Sequence, residues 1–441
     1  MKQLQLFFFC LFLCQLGAQE IIPDKMALRN ASALDNSLLS EIDLLSVNAK
    51  VDSIITNGIK NEAFPGAQVL VAEKGNIIFH KAYGYHTYDS LQPVGLSDIY
   101  DLASVTKILG PLPALMKLVE EGKLDLDAPF SNYWTPWQRR KDKRDITLRE
   151  ILAHQAGLEP YILFLSKVLK KDGHLKHRFV KTSKRNRFEN EAYDGLYVKN
   201  RFNRKMYRII NRSDVSEDKT YRYSGLTFLI FPALIDQLTG VPYEKYITEN
   251  FFKPVGAKTL GFLPMTKGFP NKIVPTEEDT IYRNTMTQGW VHDENASLLG
   301  GISGNAGLFG SASDLAKMMQ LYVQFGNFNG ERLLSENVVK EFIKIQYPDN
   351  DNRRGLGFDK PLLNNDTLSL SEAYPAPEVS AKSFGHSGFT GTFVWADPEN
   401  QLVYIFLSNR VYPTRANRNL YEMNIRPAVQ QVFYNALTRM E

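Results

Sequence analysis

Ser104 and Lys107, in "DLASVTKILG" (101–110), stand three residues apart where a polar turn gives way to an apolar run. On a helix this spacing puts both side chains on one face, with Cβ atoms about 5–6 Å apart, so the amine reaches the hydroxyl. A hydroxyl becomes a useful nucleophile only when a neighbouring base takes its proton. An amine does so when part of it is neutral, and burial and the positive end of a helix both favour the neutral form. The plain alternative is an ordinary serine opening an ordinary helix. The same spacing recurs at Ser216 and Lys219, among Asp214, Glu217 and Asp218 in a polar stretch, so the pattern alone decides nothing.

Two further polar elements accompany it. In "YRYSGLTF", Tyr223 and Ser224 precede an apolar helix, where serine caps and tyrosine commonly packs. "GHSGFTG" (385–391) opens a strand, and the glycines around His386 and Ser387 allow another group close to the backbone or form a tight bulge. Other hydrolytic chemistries lack their signatures. No Gly-x-Ser-x-Gly elbow and no His-Glu-x-x-His occurs, and the seven histidines show no ligand spacing beyond His174 and His177, which sit in a lysine-rich stretch. Neither a metal nor a cofactor is therefore expected. His292-Asp293 in "GWVHDENA" reads first as a loop-ordering pair and second as part of a cleft rim. His154 in "AHQAGL" reads as a buried structural histidine at a helix end.

Taken in order, Ser104-Val-Thr-Lys107, Tyr223-Ser-Gly225 and His386-Ser387-Gly388 resemble the three motifs of the serine β-lactamase and penicillin-binding-protein family, in particular its class C β-lactamase and esterase-like branch. The stretches "LAHQAGL" (152–158), "GGISGNAGLFGSASDLAKMM" (300–319) and "GFTGTFVWADPENQLVYIFLSNR" are similar too, so the resemblance spans roughly residues 45 to 437. It implies that Ser104 carries the acyl group, that Lys107 and Tyr223 share proton transfer, and that the N–H groups of Ser104 and Phe389 receive the oxyanion. His386, Ser387 and Gly388 would then line the strand that holds the substrate. Two positions depart from the family: Gly225 replaces the asparagine of Tyr-x-Asn, and His386 replaces the lysine of true β-lactamases. The second exchanges a permanent cation for a group that is mostly neutral near pH 7. Both favour an esterase- or peptidase-like use. The expectation is an exported serine hydrolase acting on peptidoglycan-derived peptides, D-amino-acid amides or esters. The alternatives are a true β-lactamase and a non-catalytic binding or sensor module of the same fold.

The elements that must position these residues follow from pattern. At 441 residues, 44% hydrophobic and 23% charged, the chain can bury a large core. Residues 1–18 read as a signal peptide, with one lysine, an apolar run too short to span a membrane comfortably, and small residues at Gly17-Ala18. A periplasmic or extracellular location follows. Both cysteines, Cys10 and Cys14, lie in this leader, so the mature protein is expected to hold no disulfide.

Residues 36–60, 104–121 and 413–439 read as helices, and 66–84 and 384–410 as hairpins. The economical fold is α+β, of the β-lactamase/transpeptidase-like type. A central antiparallel sheet drawn from residues 19–133 and 281–441 is covered by the terminal helices, with a mostly helical part inserted at 134–280. Between Lys167 and Arg212, 15 Lys and Arg face 4 Asp and Glu, whereas the whole chain carries only +4. The basic insertion at 165–215 therefore reads as a solvated lid or, more sharply, as a contact surface for envelope polyanions. Nucleic acid is not an expected partner of an exported chain.

Overall fold

The structure, a computed structural model, describes residues 29–30 and 44–437, so residues 1–18, read as a leader, with Cys10 and Cys14 lie outside the described residues, as do 36–43 and 438–439 of the two terminal helix readings. The principal sheet has six strands: β1 (Arg29–Asn30), β2 (Gly66–Glu73), β3 (Asn76–Gly84), β4 (Phe384–Ser387), β5 (Phe393–Asp397) and β6 (Leu402–Ser408). Their spatial order is β1-β3-β2-β6-β5-β4, antiparallel throughout except for the β1–β3 pair. Strands from the two ends of the chain meet where Leu402 to Ser408 pairs residue for residue with Glu73 to Ala67.

The pattern of β2 and β6 explains what covers this sheet. Val69 and Val71 on β2, with Tyr404 and Phe406 on β6, pack on one face against α1 (Leu44–Lys60) and α4 (Ile425–Leu437) through Val51, Ile55, Val429 and Phe433. The intervening Leu70, Ala72, Val403, Ile405 and Leu407 belong to the core on the opposite face, with α3 (Ala312–Val323). A strand buried on both faces reads as a continuous apolar run, as "LVYIFL" does.

Residues 104–121 are not one helix. A short helix at Thr106–Leu109 stops at Gly110 (φ −96°, ψ −88°), and α2 (Pro111–Glu120) starts afresh with Pro111 in its first turn. Proline suits that position because its missing N–H would have no helical partner there anyway. The hydroxyl of Tyr322 on α3 donates to the Ile108 carbonyl at 2.7 Å, satisfying a group that the break exposes. A Cβ on Gly110 would lie 2.4 Å from the Tyr243 hydroxyl, so only glycine fits the break.

Residues 134–280 contain more strand than the sequence reading expected. Val180–Lys181, Leu196–Val198 and Asn190–Tyr193 form a small antiparallel sheet inside the basic segment, followed by a helix at Phe202–Arg212. That helix buries Phe202, Met206 and Ile210 and turns its arginines outward. Arg204, Arg208 and Arg212 line a groove of about 450 Å3 with Arg139 and Arg140. Among the described residues no helix is long and apolar enough to cross a membrane.

Candidate active site

Ser104 sits on a short 3-10 turn, Ala103–Val105, immediately after a two-residue strand, Tyr100–Asp101. Ala103 adopts φ +45°, a left-handed conformation costly for a residue with a Cβ. The buried Asp101 carboxylate holds the turn, accepting from the Ala103 N–H at 2.8 Å and from the His292 N–H at 2.6 Å. Burial pushes the Asp101 carboxyl up despite these two N–H groups.

Lys107, 2% exposed, donates to Ser104 Oγ at 2.9 Å and to the Asn305 carbonyl at 3.1 Å. Its Nζ lies 5.4 Å from the centre of the Tyr223 ring and 5.5 Å from that of Phe228. No carboxylate pairs with it among the described residues. The phenol of Tyr223 is next to both Ser104 and Lys107. Desolvation opposes its ionisation, but the Lys107 charge, the neighbouring Ser104 hydroxyl and Lys107 amine, and the Arg354 charge outweigh that and hold its pKa below the ordinary value. The contrast with the second Ser-x-x-Lys is direct: Lys219, half exposed, pairs with Glu150.

His154 fixes the segment that carries Tyr223. Its carbonyl accepts from the Arg222 N–H at 2.9 Å, its Nδ1 accepts from the Ser224 N–H at 3.2 Å, and its ring packs on Tyr223 with centroids 4.6 Å apart. Accepting through Nδ1 requires a neutral ring, and burial, with the Arg354 and Lys107 charges, holds the imidazole pKa well down. Buried Arg354 lies over Tyr223 at 5.7 Å and pairs with Asp359 at 3.1 Å.

β4 supplies the facing wall. His386, 3% exposed, places its ring 6.1 Å from that of Tyr223 and donates from Nδ1 to the Ser387 carbonyl at 2.7 Å. Its buried Nε2 has no partner among the described residues. Burial, reinforced by Arg354 and Lys107, pushes its pKa down to about 3, so the ring is neutral throughout the physiological range. A Cβ on Gly388 would lie 2.0 Å from Thr392 Oγ1 and 2.6 Å from the Leu102 carbonyl, so this glycine is what lets the strand end press against the Ser104 turn. Phe389 follows, 48% exposed, with an N–H that no acceptor claims among the described residues. Arg410 holds it from behind, donating to its carbonyl at 2.9 Å and lying 4.6 Å from its ring centre.

Thus Ser104, Lys107, Tyr223, His386, Gly388 and Phe389 converge, whereas Ser387 faces the other side of the sheet, in a cavity with Arg353 and Arg426. His292 and Asp293 lie at the cleft in supporting contacts. The His292 ring stacks on Phe389 (5.6 Å, 29°) and bonds to Glu277 at 2.7 Å. Burial would raise the Glu277 pKa, but His292 and Arg415 hold it at about 2. Asp293 Oδ1 caps the helix Glu294–Leu298 through the Ala296 N–H and accepts from Asn305 Nδ2 at 3.1 Å.

Sequence reasoning did not single out Asp101, Asn305 or Arg354. Asp101 and Asn305 carried a signal, lying inside "DLASVTKILG" and inside the glycine-rich stretch that resembles the family. At the Gly225 position a Cβ would meet nothing within 4 Å.

This site, set between the edge of an antiparallel sheet and a helical layer, defines a class: a serine hydrolase of the β-lactamase, penicillin-binding-protein and esterase type. The Beta-lactamase family profile matches residues 51–425, and the chain belongs to that family. It is 28% identical over 407 residues to a protein of Salmonella heidelberg (strain SL476) named "Putative D-alanyl-D-alanine carboxypeptidase", covering 86% of this chain and 87% of that one. Among solved structures it resembles EstCE1, a hydrolase with promiscuous acyltransferase activity (TM-score 0.61, 18% identity, 89% of this chain and 99% of that one). It also resembles a class C β-lactamase from Rhodobacter sphaeroides (TM-score 0.60, 16% identity, 87% and 98%).

Proposed function

We propose that this is an exported hydrolase that forms an acyl-enzyme on Ser104 and acts on peptidoglycan-derived peptides, D-amino-acid amides or esters. The observation that carries the reading is the proximity of three groups: Ser104 Oγ lies 2.9 Å from Lys107 Nζ, which lies 5.4 Å from the centre of the Tyr223 ring, whose phenol is held below its ordinary pKa. Lys107 and Tyr223 take the Ser104 proton as it attacks a carbonyl, then return it to the leaving group; a phenol pKa moved toward neutrality suits both directions. The N–H groups of Ser104 and Phe389 receive the oxyanion. Water then releases the acyl group by the same proton path. Nothing in this chemistry calls for a metal or cofactor.

Neutral His386 and the missing amide at Gly225 favour peptides and esters over antibiotics, and the name of the Salmonella relative agrees with a D-alanyl peptide. The leader at 1–18 supports export. A non-catalytic module of this fold would have little reason to keep Ser104, Lys107 and Tyr223 in mutual contact. Labelling with a fluorophosphonate or a fluorescent penicillin is the direct test. Wild-type protein is expected to label and Ser104→Ala is not; folded wild-type protein inert to both reagents would sink the reading.

Gly225 offers a second test. Gly225→Asn fills open space, so it is expected to change stability by no more than about 0.5 kcal/mol and to raise nitrocefin turnover above the wild-type rate. An unchanged rate would mean that the absent amide is not what limits β-lactam hydrolysis.

A further inference from the structure

The cleft beside Ser104 has a character that acyl transfer does not itself require. A cavity of about 490 Å3 opens on Ala103 and Ser104 and is walled by Tyr161, Leu163, Leu165, Leu169, Ile281 and Phe389. Tyr161, Leu163, Ile281 and Phe389 are 47, 51, 51 and 48% exposed, which leaves large apolar side chains in water around one concavity. Clustered apolar exposure of this kind marks a binding surface, and the volume lies in the range of small-molecule sites.

The cation of the same cavity is already engaged. Arg415, its lining cation, is bound by Glu277 at 2.5 Å and Glu294 at 2.8 Å. His292 is bonded to Glu277, and Asp293 Oδ1 to Ala296 and Asn305. No lining cation among the described residues is left to receive a carboxylate, so the apolar wall sets what the occupant must match. Lys107 and Tyr223 do not line the cavity. A leaving group departs toward its proton donor, so the space away from that pair holds the acyl part of the substrate.

We infer that this cavity is an acyl pocket, and that the substrates are esters or amides of carboxylic acids bearing an uncharged apolar chain or ring of several carbons. This rests on Ser104 being the nucleophile. It also gives the start of the basic segment a task, since Leu165, Ser166 and Leu169 form part of the wall.

The test is kcat/KM for p-nitrophenyl acetate, butyrate and hexanoate, with the Ser104→Ala rate subtracted. Full burial of one methylene multiplies binding roughly fourfold. Four partly buried methylenes are therefore expected to favour hexanoate over acetate by at least about tenfold. The double variant Leu163→Asn, Ile281→Asn is expected to cut that ratio at least about fivefold. Leu163→Met with Ile281→Leu is expected to keep it high, which separates loss of apolar contact from general damage. A wild-type ratio at or below one, with Ser104-dependent acetate hydrolysis intact, would overturn the acyl pocket. So would an unchanged ratio in the Asn variant. Absence of Ser104-dependent hydrolysis of every ester would instead overturn the nucleophile reading, and the pocket with it.

Discussion

Replacing Lys107 by methionine is expected to lower kcat/KM by about 10²- to 10⁴-fold while leaving the protein as stable as the wild type or more so. The two halves of this expectation have one cause. The Lys107 head group is buried without a carboxylate; its partners are the Ser104 hydroxyl, the Asn305 carbonyl and the faces of Tyr223 and Phe228. Burying a polar head group with so few partners costs folding energy, and methionine of similar length removes that cost.

The same change should raise the pKa of Tyr223, because the Lys107 charge is the largest influence opposing desolvation there. Absorbance near 295 nm, read as the difference from a Tyr223→Phe variant, measures the phenolate directly. A Lys107→Met enzyme of undiminished activity, or with Tyr223 titrating as before, would show that the two groups do not share the proton.

A second large effect is expected in acid. In the unfolded chain His386 titrates near its ordinary 6.5, whereas in the folded protein its pKa is about 3. Between these values the unfolded state binds the extra proton, so stability falls as pH falls and is flat above about 6.5. At about 1.36 kcal/mol per pH unit, moving from pH 7 to pH 5 removes roughly 2 kcal/mol through this residue alone. His154, depressed for the same reason, acts in the same direction.

Urea unfolding of wild-type protein at pH 7 and pH 5 should show the loss, and His386→Gln, neutral at every pH, should recover roughly 2 kcal/mol of the difference. If the two proteins lose stability equally between pH 7 and pH 5, His386 is not held neutral by the fold. Catalysis has a matching signature. Since His386 does not change charge between pH 5 and 8, no inflection of kcat/KM in that range should vanish in His386→Gln.

Local pattern carried much of the scaffold. The hairpin read at 66–84 is the β2–β3 pair, turning at Lys74-Gly75-Asn76, and the helix Phe231–Thr239 ends at Gly240, at φ +72°, a glycine stop of the kind a sequence shows directly. Backbone preference and side-chain period act over a few residues, so they can be read in order along the chain. The three strands in the basic segment were missed because, at two to four residues each, they are too short for alternation to register. The break at Gly110 is intermediate. Pro111 is a helix-starting residue in the sequence, but only the contact with Tyr243 and the hydroxyl of Tyr322 explain how the break before it is accommodated.

By itself, then, the sequence determined an antiparallel sheet shared by both ends of the chain and three ordered motifs that name candidates for nucleophile, proton carrier and substrate strand. Tertiary structure alone decided their electrical state. The Asn305 carbonyl reaches Lys107 across 198 residues, and Arg354 and His154 converge on Tyr223 from separate segments. The Lys107 and Arg354 charges acidify a phenol against the cost of its burial, and burial with the same two charges silences two imidazoles. Charge and desolvation act through space, and linear spacing carries no record of which groups will become neighbours when the chain closes.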